Sequence, residues 1–149
     1  MIELGLAGRD DLPQLVALLG ILFSQESEFT PDEAKQTRAL EMILSDESVG
    51  RIYVARDGGR VVAMATLLYT ISTAEGGVAA LFEDLIVLPG HRGRGVASSL
   101  VKFMIQEARA QGVLRLTLLT DSQNNRAQSL YLKLGFAASS MTPMRFRWK

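Results

Sequence analysis

Cysteine is absent from this chain of 149 residues. Its absence excludes disulfide frameworks, thiolate metal sites and any mechanism with a cysteine nucleophile, and it fits a reducing compartment. Histidine occurs once, at His91, and no metal-ligand spacing is present. Neither sign of charge is in excess, because 16 Lys plus Arg balance 16 Asp plus Glu. The broad basic field that draws proteins onto nucleic acid is therefore missing, as is the run of like charge that would suggest a membrane surface. No apolar run approaches the ~20 residues that span a bilayer. The opening Met1-Ile2-Glu3-Leu4-Gly5 also lacks the basic stretch and apolar core of a signal peptide. These absences lead us to expect a soluble cytoplasmic protein that engages neither nucleic acid nor membrane.

What remains is the composition of an ordinary globular domain, 48% hydrophobic and 21% charged. No repeat or linker divides it, so residues 1–149 are expected to form a single domain. An opening strand is expected at 2–6. Asp10 and Asp11 then cap a helix with Pro13 in its first turn, and Thr30 caps a second with Pro31 at its first position. Strands at 52–55 and 61–69 flank the hairpin signal Asp57-Gly58-Gly59, and a polar loop at 72–77 leads to a third sheet element at 79–87. An amphipathic helix at 96–111, a strand at 114–119, a helix at 125–134 and an extended segment at 136–149 follow. This order predicts a mixed α/β (α+β) domain built around one sheet.

The most informative segment is Pro89-Gly90-His91-Arg92-Gly93-Arg94-Gly95-Val96-Ala97, which joins a strand end to a helix start. Glycines let the backbone approach a ligand, and the free amides of a helix N-terminus favour an anion, so a pyrophosphate-bearing ligand is implied. A Walker loop is excluded, because Gly95 is followed by Val96 where Lys and a hydroxyl residue are required. A dinucleotide fingerprint is imitated by Gly93-Arg94-Gly95 with Ser98 in the third glycine's place. Its acidic ribose partner belongs about 20 residues on, and Asp121 lies beyond that. A nicotinamide-dependent oxidoreductase stays open as an alternative on this partial match.

Arg92-Gly93-Arg94-Gly95-Val96-Ala97 matches the Arg/Gln-x-x-Gly-x-Gly/Ala motif of the GNAT family, the Gcn5-related N-acetyltransferases. Further along, Asn124-Asn125-Arg126-Ala127-Gln128-Ser129-Leu130-Tyr131-Leu132-Lys133-Leu134-Gly135-Phe136 resembles that family's Asn-x-x-Ala-x-x-x-Tyr-x-x-x-Gly-Phe segment at every fixed position. The resemblance is clear from about Arg51 to the C-terminus and rests on general layout before it. It implies a mostly antiparallel sheet flanked by helices, with a central splayed pair of parallel strands. It also implies acetyl-CoA as acetyl donor and a small-molecule or peptide amine as acceptor, with direct transfer in a ternary complex. The amides of Gly93, Arg94, Gly95, Val96 and Ala97, with Ser98, would hold the pyrophosphate, and the side chains of Arg92 and Arg94 could add charge. Backbone groups of Leu85, Ile86 and Val87 would pair with the pantetheine arm, and Asn124 and Ala127 would line its other side.

Tyr131 holds the family's tyrosine position and is the expected general acid beside the cofactor, although Leu130, Tyr131 and Leu134 also share the helical spacing of a core stripe. Glu83 is the expected general base. Alternation puts Asp84 on the opposite sheet face, as a structural partner. A backbone amide near Ile86 or Val87 is expected to polarise the carbonyl, and His91 is expected to be a solvent-exposed loop residue. Acceptor specificity would lie in residues 18–33, 72–77 and 139–143. There Phe23, Glu26, Glu28 and Phe29 suit a cationic or aryl amine, with core or surface placement the simpler reading. The apolar alternation of Met144, Phe146 and Trp148 would permit the homodimers that GNAT domains often form. The other alternative is a non-catalytic acyl-CoA sensor of the same fold.

Overall fold

The computed structural model describes residues 1–26 and 28–148. Ser27, inside the expected specificity segment 18–33, and Lys149, at the end of the last extended segment, lie outside the described residues. The chain forms two compact units, Met1–Leu118 and Leu119–Lys149. The first contains β1 (Ile2–Leu6), α1 (Leu12–Gln25), α2 (Glu33–Leu44), β2 (Gly50–Asp57), β3 (Arg60–Ser72), β4 (Gly77–Val87), α3 (Val96–Ala110) and β5 (Leu116–Leu118). Its sheet runs in the order β1-β2-β3-β4-β5. The first four strands pair antiparallel, and β5 joins β4 in parallel. This is the mixed, mostly antiparallel sheet expected. The parallel pair is short: it joins Ala80 with Leu116, Leu81 with Thr117 and Phe82 with Leu118, and then stops.

Two helix starts differ from expectation. Asp11 ends a 3-10 turn at Arg9–Asp11 and does not cap α1 with its side chain. Its carboxylate accepts the Gly8 N–H at 2.8 Å and two bonds from Arg56 at 2.7 Å. The Arg56 guanidinium holds the Asp11 carboxyl below the usual carboxylate range. The second helix is capped by Asp32 rather than Thr30. The Lys35 N–H donates to Asp32 Oδ1 at 3.1 Å, and the Asp32 N–H donates to Gln36 Oε1 at 2.7 Å. A carboxylate that satisfies one orphan amide while its own N–H is held in return outcompetes a lone hydroxyl two residues earlier.

The sheet is covered on both faces. Ile52 and Val54 join Leu15, Leu18, Leu19 and Leu40 of α1 and α2 in one buried cluster. Tyr53, between them, packs edge-on against Phe103 of α3 at 6.1 Å, so strand alternation places α3 on the opposite face. There Leu100, Val101 and Met104 are fully buried.

The second unit holds α4 (Asn125–Lys133). No strand follows among the described residues, contrary to the extended reading of 136–149. Period-two alternation survives locally, since Phe146 and Trp148 meet edge-on at 5.2 Å. Their rings are nevertheless 82% and 89% exposed, and Pro143 contributes no N–H to a ladder. Among the described residues no helix is long and apolar enough to cross a membrane.

Candidate active site

Opposite β3, β4 carries one residue too many. Thr66 pairs with Glu83 and Met64 with Ile86, so Ala65 alone faces both Asp84 and Leu85. This is a β-bulge, and its first residue, Asp84, has φ 58°. No other non-glycine among the described residues has positive φ. Aspartate tolerates that left-handed conformation better than most side chains do. The bulge interrupts the alternation by which Glu83 and Asp84 were expected to part. Glu83 is exposed and Asp84 half-buried, with no hydrogen-bond or ion-pair partner among the described residues. Burial, and after it the neighbouring charges of Glu83 and Glu26, push the Asp84 carboxyl up to about 7.

Beyond the bulge the strand runs on without β5. The Leu88 N–H donates to the Val62 carbonyl of β3 at 2.8 Å, so by alternation the peptide groups of Ile86 also face β3 and those of Leu85 and Val87 turn to the other edge, where pairing has already ended. The side chains of Ile86 and Val87 are buried, at 5% and 8% exposure. What this edge presents is therefore backbone. Arg92 was expected to strengthen an anion site. Its Nε–H donates to the Val87 carbonyl at 3.0 Å, which occupies one of the groups expected to pair with a pantetheine arm.

The loop that follows ends on Gly95, at φ 76°, as the N-cap of α3 with no side-chain cap. The first bond into the helix is Ser99 N–H to Gly95 O at 3.0 Å. The N–H groups of Val96, Ala97 and Ser98 thus have no acceptor among the described residues, and no acidic side chain sits in the first turn. Val96 is buried and anchors the turn in the core. Gly93, Arg94 and Gly95 are exposed. Unpaired amides at the positive end of a helix constitute an anion seat. His91 differs from its expected solvent-exposed role. Its side chain is only 17% exposed, and Nε2 lies 2.9 Å from Asp57 Oδ2.

In the second unit, the Asn124 side chain accepts the Ala127 N–H at 3.1 Å and caps α4. At the other end Gly135 takes φ 101°. The Gly135 N–H reaches the Leu132 carbonyl and the Phe136 N–H the Tyr131 carbonyl, at 3.1 and 3.0 Å. The Tyr131 and Phe136 rings close this Schellman ending at 5.8 Å, edge to face. The asparagine, alanine, tyrosine, glycine and phenylalanine of the second motif therefore all serve one short, doubly capped helix. Burial raises the Tyr131 hydroxyl above its ordinary value, so it keeps its proton through the neutral range.

The expected site residues fall into two groups. Glu83, Leu85, Ile86, Val87 and Arg92 to Ser98 form one continuous stretch of the first unit, and Asn124, Ala127 and Tyr131 lie on α4. Sequence reasoning missed Asp84 as an ionisable centre. The available signal was an aspartate, which tolerates left-handed backbone, inside a strand of apolar residues.

The sequence model described as the acetyltransferase (GNAT) family matches residues 15–136. N-acetyltransferase 8F1 of Rattus norvegicus is 31% identical over 100 residues, which is 67% of this chain and 45% of that protein. The chain spans about half the length, or less, of the curated relatives it matches, 38% in the case of rat N-acetyltransferase family 8 member 2. Among solved structures, one from Clostridium acetobutylicum, described as a predicted acetyltransferase with acetyl-CoA, superposes with TM-score 0.79 at 18% identity. The match covers 98% of this chain and 96% of that one. At such identity the superposition speaks for the fold alone. With a match that runs through the bulged strand, the uncapped helix start and the capped α4, the chain belongs to the GNAT acetyltransferase family.

Proposed function

We propose that this protein transfers the acetyl group of acetyl-CoA to a primary amine of a small molecule or peptide, within a single ternary complex. The observation that carries the proposal is the uncapped start of α3 at Gly95, a set of amides without protein acceptors inside the family's phosphate motif. The residues fit such a donor. The amides of Gly93 to Ser98 would hold the pyrophosphate, and the open peptide groups of Leu85 would pair with its arm, leaving the Val87 N–H for the thioester. Asn124 and Ala127 remain assigned to the same arm, alongside their capping role. We also take residues 1–149 as one domain, since the family match runs through both compact units.

Bound acetyl-CoA supplies an activated thioester. The amine nitrogen forms a bond to the carbonyl carbon, the carbon–sulfur bond breaks, and the amine loses one proton as the thiolate gains one. An alkylammonium acceptor holds its proton until a pH of about 10, so a base is needed. We assign that role to Asp84 rather than Glu83. A carboxyl held near 7 matches neutral-pH proton transfer better than an exposed one. Glu83 then acts on Asp84 through its like charge. Of the two amides expected to polarise the carbonyl, that of Ile86 faces β3, so the Val87 N–H would stabilise the carbonyl oxygen as charge develops there, and Tyr131 would protonate the leaving sulfur.

Calorimetry with CoA, paired with thiol release from acetyl-CoA across a panel of amines, tests the proposal. Binding together with turnover on at least one amine class is expected. Tight CoA binding without turnover on any amine would make the chain a sensor, and preference for NAD(H) would make it an oxidoreductase. Tyr131→Phe should lower kcat about ten-fold, below the usual hundred-fold or more of general-acid effects, because a thiolate already leaves readily. A turnover rate unchanged at every pH removes Tyr131 from the mechanism.

A further inference from the structure

We infer that Asp57 and His91 form a tether that pre-shapes the phosphate loop for its ligand; the inference rests on the reading of that loop given above. The loop runs from the end of β4 to Gly95, and its local bonds do little to fix it in space. The His91 N–H reaches the Leu88 carbonyl at 2.9 Å, the Arg92 N–H reaches Pro89 at 3.4 Å, and Arg92 Nε reaches Val87 at 3.0 Å. All of these lie within the connection itself. Between Pro89 and Gly95, the only polar tie to a distant part of the chain among the described residues is the 2.9 Å contact between His91 Nε2 and Asp57 Oδ2.

Both partners suit an anchoring role. Asp57 ends β2 beside the tight hairpin turn and pairs with Ile2 on one side and Arg60 on the other. The loop is thus fastened to a strand end that is paired on both sides. The carboxylate's other oxygen lies 3.6 Å from the Met1 amino group, which is 90% exposed and contributes little. The His91 ring is mostly buried and its Nδ1 has no partner among the described residues. The bonding pattern therefore puts the ring proton on Nε2, which donates it to the Asp57 carboxylate. Without Asp57, neither ring nitrogen would be satisfied, and the ring would tend to leave its site and take the loop with it. A loop already ordered before its ligand arrives loses less freedom on binding. Asp57 and His91 are positioning residues and need not touch the ligand.

Three measurements on Asp57→Ala and His91→Ala decide the matter. In the ligand-free protein, the amides of residues 92–98 should exchange hydrogen at least several-fold faster, while those of β3 and the middle of α3 stay as they were. CoA should bind about ten-fold more weakly, the ratio one charge-assisted hydrogen bond of ordinary strength commands. Acetylpantetheine, which lacks the pyrophosphate, should bind as before. The KM for acetyl-CoA should rise by a similar factor with kcat and the amine KM unchanged. His91→Gln, whose amide N–H can reach the same carboxylate, should recover most of the loss, and the double variant should be no worse than either single one. Unaltered loop exchange in both alanine variants overturns the tether whether or not CoA binds. Equal weakening of CoA and acetylpantetheine, or no recovery with glutamine, overturns it as well. Failure of the wild-type chain to bind CoA would instead sink the reading of the loop, with the exchange data still deciding the tether.

Discussion

Asp84→Asn is expected to lower turnover by about three orders of magnitude, within the usual range for loss of a general base, while making the protein more stable at pH 8. Asparagine adopts the left-handed backbone as readily as aspartate, so the bulge at φ 58° should survive the change. The opposed effects come from one cause. Burial and the charges of Glu83 and Glu26 raise the carboxyl from 3.8 in the unfolded chain to about 7 in the folded one. Between those values the folded state keeps a proton that the unfolded state has released, so the wild-type protein loses stability as pH rises from about 4 to about 7. Above that window the penalty is complete and constant, and below it the penalty fades. The variant carries no such penalty. Its melting temperature should therefore exceed the wild-type value at pH 8 and nearly coincide with it at pH 4. In kcat/KM, the wild-type enzyme should show a rising limb centred near 7 that the variant lacks. If Glu83→Gln removes that limb and Asp84→Asn leaves it in place, the base is Glu83.

The Gly95→Val substitution should weaken CoA binding at least about a hundred-fold, the value of one or two hydrogen bonds to an anion, with little change in the melting temperature. At φ 76° a β-branched side chain is strongly disfavoured. A Cβ built there meets nothing within 4 Å. The strain is thus conformational rather than steric, and the loop can relieve it by leaving the left-handed region. That movement turns the first amides of α3 away from their common centre. Gly95→Ala should give a smaller loss in the same direction. Calorimetric titration with CoA measures both variants, and wild-type affinity in the valine variant would end the assignment of the anion seat.

The parts of this site that could be read from the sequence are those set by local chemistry. The start of α3 announces itself because glycine is required at a left-handed N-cap, and α4 because its stop signal, Gly135-Phe136, acts on residues within one turn. The succession of the first five strands along the chain followed from the runs of β-rich residues and their turns. The misreadings share another origin. The bulge depends on how many residues β3 places opposite β4, a cross-strand count that alternation along one strand cannot reveal. His91 looked like a surface residue because its partner, Asp57, is separated from it by 34 positions. The segment 136–149 has the period of a strand, yet period says only that a segment can pair, not that a partner exists. Thr30 gave way to Asp32 because both can cap, and the bond returned by Gln36 decided between them.

The contact between Arg92 and the Val87 carbonyl has a bearing on solubility. Past the last pair with β5, the far end of β4 is left as an open edge of the sheet, and bare peptide groups of that kind invite strands from other molecules. A guanidinium resting on the last carbonyl occupies the position an intruding strand would need and carries a charge that such a strand would have to desolvate. An arginine in the first motif can thus act as a gatekeeper against self-association.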